Sequence, residues 1–173
     1  MEDVSRRDAL KIGAAATVAV SVSSGESLVA QAGFFTKEEL ALVDELSEMI
    51  IPTDEHSPGA RAARVAAYID RRLGEAWDAS ARTVWREGLR LVQQVSRDLH
   101  GKPFLESSMP ERVAVLTRMA QNEGKPQKPE EVFFAELKSK VVHAYYTSEI
   151  GIKQEIDYKG NTYQGDFAGF DVS

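Results

Sequence analysis

Three histidines, His56, His100 and His143, are the residues best suited to acid–base or metal chemistry in this cysteine-free chain. Their spacing supports neither role. None stands at a metal-ligand interval from another, and no His-Glu-x-x-His places two imidazoles on one helix face. Asp54-Glu55-His56 is the one local run of ligand types. It falls between two apolar-periodic segments, where solvated turn residues are the ordinary occupants. His143 lies in a strongly apolar segment and reads as a packing histidine. Glu38-Glu39 and Glu130-Glu131 are paired carboxylates, but they sit in the first turns of helical patterns, where the helix dipole favours negative charge. Gly-x-Gly-x-x-Gly between strand and helix, the phosphate-loop pattern and Gly-x-Ser-x-Gly are all absent. Without cysteine, this chain has no thiol nucleophile, Cys-ligated iron–sulfur cluster, covalently attached c-type haem or lipoprotein anchor. No catalytic, cofactor-binding or metal-binding residue is therefore expected in it.

The residues with the clearest chemical task lie at the N-terminus. Ser5-Arg6-Arg7-Asp8-Ala9-Leu10-Lys11 precedes a weakly apolar run from Ile12 to Val22, and Ala30-Gln31-Ala32 follows. Paired arginines, a short apolar segment and a small-x-small site together form a twin-arginine export signal. Ala9 departs from the pattern, where Phe is usual. Eleven helical residues reach about 16 Å, against about 30 Å of hydrocarbon, so the run does not span a membrane. The rival reading is an ordinary secretory signal. Cleavage after Ala32 would start the mature chain at Gly33, with an uncleaved anchor as the alternative. The twin-arginine route carries proteins already folded. A small chain with no cofactor site has little need of it, so a second, cofactor-loaded protein is expected to travel with this one.

Residues 1–32 are thus expected to be the signal, 33–148 a helical domain, and 149–173 its extended C-terminal segment. Of 21 Lys/Arg and 27 Asp/Glu, three and four fall in the signal, leaving 18 and 23 and a net of −5. That balance argues against a nucleic-acid partner and against electrostatic docking on an anionic membrane.

Five helices are predicted. Thr36 and Glu39 have capping-box spacing for the first, with Leu40, Val43, Leu46 and Ile50 as its stripe and Pro52 as its stop. The second runs from about residue 60 to 75, with Val65, Tyr68, Ile69 and Leu73 inward. The third runs from about 79 to 99, with Val84, Trp85, Leu89, Val92 and Leu99 apolar. Ser108 and Glu111 repeat the capping-box spacing for the fourth, which carries Val113, Leu116 and Met119. Pro129, at an acceptable first-turn position, opens the fifth, with Phe133, Phe134, Leu137, Val141 and Tyr145. After Ser148 the pattern ceases to be helical. Gly151, Gly160, Gly165 and Gly169 alternate with Tyr158, Tyr163, Phe167 and Phe170. The fold class is all-α, about a five-helix bundle with an irregular Gly/aromatic-rich C-terminal extension. Aromatics with few charges are what interface centres use. Tyr145, Tyr146, Tyr158, Tyr163, Phe167 and Phe170 are accordingly expected to dock on a partner. Wrapping of the segment on the chain's own helices is the second placement, and the two can coexist.

Several stretches carry a resemblance. They are Arg6-Arg7, Ile50-Ile51-Pro52 leading to Ser57-Pro58-Gly59-Ala60, Ile69-Asp70, Gly101-Lys102-Pro103-Phe104, and Phe133-Phe134 through Tyr145-Tyr146-Thr147-Ser148. In this order and spacing the chain resembles the gluconate 2-dehydrogenase subunit 3 family, as a divergent branch. Common members end the last helix in an Asp-Pro, Gly-Gly-Asn type segment. Here Ser148-Glu149-Ile150-Gly151 and then Tyr158-Lys159-Gly160-Asn161-Thr162 stand instead. The resemblance implies a non-catalytic small subunit with no cofactor of its own. Its partner would be a large glucose-methanol-choline type flavoprotein that binds FAD, oxidises a sugar or sugar acid and lacks its own export signal. A cytochrome c subunit joins some complexes. The implied location is periplasmic, reached through the twin-arginine translocase, with membrane association through the complex. The alternative is an autonomous periplasmic helical enzyme or small-ligand-binding protein, told apart by whether the isolated chain turns over a substrate.

Overall fold

A computed structural model describes residues 33–76 and 78–156 of the chain. Among these residues there are helices and no strand. The elements are α1 (Lys37–Ile50), α2 (Gly59–Ala62), α3 (Val65–Gly74), α4 (Ala79–His100), α5 (Met109–Met119) and α6 (Pro129–Tyr146). A 3₁₀ turn at Phe104–Glu106 precedes α5, and a π-helical turn at Gly151–Glu155 follows α6. Five of the helices are longer than two turns, as the periodicity predicts.

Helix starts follow local chemistry. The Thr36 hydroxyl accepts the Glu39 N–H at 3.1 Å, and the Glu39 carboxylate accepts the Thr36 N–H at 2.9 Å. Ser108 and Glu111 form the same box at α5. Each such box satisfies backbone donors that a helix start otherwise leaves open. At α6, Glu131 accepts from the Lys128 and Gln127 amides at 3.2 and 2.8 Å and from Asn122 Nδ2 at 2.9 Å. That buried carboxylate is held below its usual range, first by the Gln127 amide.

Helix α6 is the central element and touches α1, α3, α4 and α5. Phe133, Phe134, Leu137, Val141 and Tyr145 are all buried, as the stripe predicts. Trp85 of α4 meets Phe133 edge-on at 5.6 Å between ring centroids. Gly88 permits that approach, because a Cβ there would overlap the Phe133 ring. Truncating a core leucine of this kind to alanine costs about 2–5 kcal/mol. A charged network reinforces the α1 side. Glu45 bridges Arg112 at 2.7 Å and Arg61 at 2.9 Å, while Arg112 also donates to the Phe104 and Leu105 carbonyls.

Three expectations are corrected. The helix predicted over 60–75 is two helices, because Arg64 adopts a left-handed conformation with φ 55°. The break resets the helical phase. Ala60 then packs at α2 while Val65, Ala66, Ile69 and Leu73 face the core from α3. Val84, Leu99 and Val113, predicted on apolar stripes, are 49%, 41% and 49% exposed. Val84 falls on the row of Gly88 and Leu91, beside the core-facing row of Trp85, Leu89 and Val92. The chain after Ser148 is helical as far as Glu155 rather than extended. The Ser148 hydroxyl donates to the Tyr145 carbonyl and accepts the Gly151 N–H at 3.0 Å, which restarts the turn. Gly151 packs against the Tyr145 carbonyl, where a Cβ would collide.

Candidate functional site

The candidate site is assembled from α3, α4 and α6. Helices α4 and α6 run antiparallel, with Leu91 beside Pro129 and Ala81 and Trp85 beside Glu136 and Lys140. Two cavities lie along this seam and share Glu136. One, about 310 Å³, has Trp85, Ile69, Leu73 and Tyr68 as its apolar lining and Arg72, Lys140 and His143 as its basic groups. The other, about 350 Å³, is lined chiefly by Val84, Leu91, Pro129, Val132 and Phe133. Together they make a furrow that is basic and aromatic at one end and apolar at the other.

Two of these cations have carboxylate partners, one of them, Glu136, in the lining itself. Glu136 lies 3.7 Å from Lys140, and Glu75 lies 3.4 Å from Arg72. Arg71 stands over the Tyr68 ring at 5.8 Å. No hydroxyl or amine in this lining is paired with a base as a nucleophile would need. Arg72 and Lys140 are thus each paired with a carboxylate beside an apolar floor.

A second constellation is internal. Ser57 Oγ lies 2.8 Å from Tyr145 Oη, Tyr145 Oη lies 3.2 Å from Glu155 Oε2, and the Gly59 N–H donates to Ser57 Oγ at 3.3 Å. Burial pushes the Tyr145 phenol above its ordinary range. Both Ser57 and Tyr145 are buried, so the relay ties elements together and does not face a substrate.

The placement of the predicted residues is mixed. Tyr145, expected on a partner surface, has no exposed area and belongs to the core. Its hydroxyl finds a partner in Ser57, which is what allows a tyrosine to be fully enclosed. Tyr146, beside it, is 41% exposed. Tyr158, Tyr163, Phe167 and Phe170 lie outside the described residues, as do Arg6, Arg7, Ala30 and Ala32. His143 is exposed on the furrow rim rather than packed in the core. The Nε2 atom of His100, at the end of α4, is buried without a hydrogen-bond partner. In the Asp54–His56 loop, Asp54 accepts the amides of His56 and Ser57, both at 2.8 Å. These bonds make an Asx turn, and they hold the Asp54 carboxyl below its usual range.

Among the described residues, no group of three or more His, Asp or Glu is placed to hold a metal ion. Nor is any helix among them long and apolar enough to cross a membrane. The furrow was not anticipated from the sequence. A signal for it exists in Val84, Gly88 and Leu91, a second apolar row on α4 at helical spacing.

The described residues make an all-helical domain built around one central helix. The chain matches gluconate 2-dehydrogenase subunit 3 over residues 37–165 and belongs to that family. The family is one of accessory subunits of dehydrogenase complexes, and membership implies a partner within such a complex. No curated protein and no solved structure matches the chain.

Proposed function

We propose that this chain is the non-catalytic small subunit of a periplasmic, FAD-dependent dehydrogenase of the glucose-methanol-choline type, acting on a sugar or sugar acid. The family match over residues 37–165 carries this reading. In it, Arg6 and Arg7 address the chain to the twin-arginine translocase, and the flavoprotein, lacking its own signal, is exported as a passenger. The small subunit also supports the flavoprotein's maturation before transport. Substrate oxidation and the flavin belong to the large subunit, and a cytochrome c subunit accepts electrons where the complex includes one. Tyr146 and the aromatic segment from Tyr158 to Phe170 supply docking area, consistent with the aromatic content of interface centres.

Co-expression with a large flavoprotein of the glucose-methanol-choline type tests the reading. The expected result is a complex that co-purifies, shows a flavin spectrum and oxidises a sugar, while the small chain alone shows only aromatic absorbance. A stoichiometric flavin or haem on the isolated chain, or unaided turnover by it, would overturn the assignment.

A further inference from the structure

We propose that Asp70 receives the α-ammonium of Gly33, a group that exists only once the signal is cut after Ala32. The inference rests on export with signal cleavage. It gives the cut a second consequence, because the freed amine closes the N-terminal end of the helical domain.

The first argument is the position of Gly33. The compact helical unit begins at this residue, directly after the small-x-small site Ala30-Gln31-Ala32. A Cβ on Gly33 would overlap the Asp70 carboxylate, Oδ2 first. The Gly33 backbone therefore lies against that carboxylate, an approach that a residue without a side chain permits. In the uncut chain the Gly33 nitrogen is an amide bonded to Ala32. After the cut it is a primary amine, charged at neutral pH and carrying three N–H donors. Rotation about the Gly33 Cα–C bond then turns this amine to the side where a side chain would project, which is where the carboxylate stands.

The second argument is that the neighbouring residues are already fixed. The Phe35 N–H donates to Asp70 Oδ1 at 2.7 Å. Phe35 is buried and meets Trp85 at 5.9 Å between ring centroids. Arg86 donates to the Phe34 carbonyl at 2.9 Å, and its guanidinium lies over the Phe34 ring at 4.6 Å. Chain ends ordinarily fray, but this one is pinned from both α3 and α4. The ordering cost that weakens most surface ion pairs is thus already met by other contacts.

The third argument is charge. Of the groups that hold this end, Arg86 is paired with Glu39 at 2.9 Å, while Asp70 accepts a neutral amide through Oδ1. An ammonium on Oδ2 gives the carboxylate a counter-charge without displacing either contact. Ile69-Asp70 is one of the stretches that carry the family resemblance. Ile69 serves the core, and the proposed contact gives Asp70 its own task.

The test uses the chain recovered from the periplasm. Mass and N-terminal sequencing should show Gly33 as the first residue. A chain that retains residues 1–32, or begins elsewhere, would overturn the proposal. Flavoprotein in the same preparation reports separately on the subunit reading, which can fail while the amine result stands. Trace acetylation with acetic anhydride at pH 7 then compares the Gly33 amine with the chain's lysines. The wild-type amine should react about fivefold more slowly than that of Asp70→Asn, the equivalent of about 1 kcal/mol. Asparagine keeps an oxygen for the Phe35 amide and removes the charge. Equal rates in the two proteins, both slow or both fast, would overturn the proposal. A second measurement needs no variant. Unfolding the wild-type chain in urea should raise the amine's rate about fivefold relative to the lysines, and an unchanged ratio would overturn it.

Discussion

Ser57 and Tyr145 meet hydroxyl to hydroxyl at 2.8 Å, joining the loop before α2 to the last turn of α6. The direction of the relay is set by its ends. The Gly59 N–H donates to Ser57 Oγ, Ser57 donates to Tyr145 Oη, and Tyr145 donates to Glu155. One phenol thus fixes a loop, the core helix and the turn beyond it.

Tyr145→Phe removes that link and keeps the ring. Ser57 still accepts from Gly59, so the change does not strand a fully unsatisfied group. The expected loss is about 1 kcal/mol, read as a lower urea midpoint with unchanged helical circular dichroism. The Gly151–Glu155 turn should also exchange its amides faster. No change in exchange there would show that the relay does not hold the turn.

Gly88→Ala sets two effects against each other. Alanine improves helix propensity by about 1 kcal/mol. The added Cβ overlaps the Phe133 ring, and overpacking costs about 1–3 kcal/mol. The core term is expected to win, leaving a net loss of about 1 kcal/mol and an altered near-ultraviolet signal from Trp85. A stabilised variant would refute the tight α4–α6 approach.

Acid sensitivity follows from the helix caps. The Lys102 ammonium, then the Ser108 amide and hydroxyl, push the Glu111 carboxyl down to about 2 from its ordinary 4.5. Glu131, first through the Gln127 amide, is shifted in the same direction. A depressed folded-state pKa means that the unfolded chain takes up protons first as pH falls. The stabilisation is present above about pH 4.5 and is lost progressively toward about pH 2. Urea midpoints should drop across that window, and Glu111→Gln should flatten part of the drop. Equal slopes in the two proteins would remove Glu111 from the explanation.

Export should depend on the arginine pair. If the proposed escort role holds, Arg6→Lys together with Arg7→Lys strands both this chain and the partner flavoprotein in the cytoplasm. Cell fractionation measures it, and normal export of flavoprotein activity would reject the escort mechanism.

Much of the fold was legible because its signals are local. Thr36 with Glu39, and Ser108 with Glu111, name helix starts through side chains three residues apart. Phe133 through Tyr145 names a buried face through spacing alone. The break at Arg64 was not legible, since a left-handed arginine has no side-chain signature and is imposed by the packing of two short helices against α1. The restart at Ser148 depends on one hydroxyl and one missing Cβ meeting the end of α6. The partner that lets the Tyr145 hydroxyl be enclosed is a serine 88 positions away, which no short window contains. The furrow escaped notice because it is made by three helices, each of which shows only a partial row.

The central position of α6 also orders events in time. The core lacks Phe133, Leu137, Val141 and Tyr145 until the last long helix is made, and the helices before it surround an unfilled middle. Closure of the core therefore waits for α6 to be made. A product truncated before residue 129 lacks the Phe133 ring that packs edge-on against Trp85 and leaves Trp85 and its neighbours uncovered.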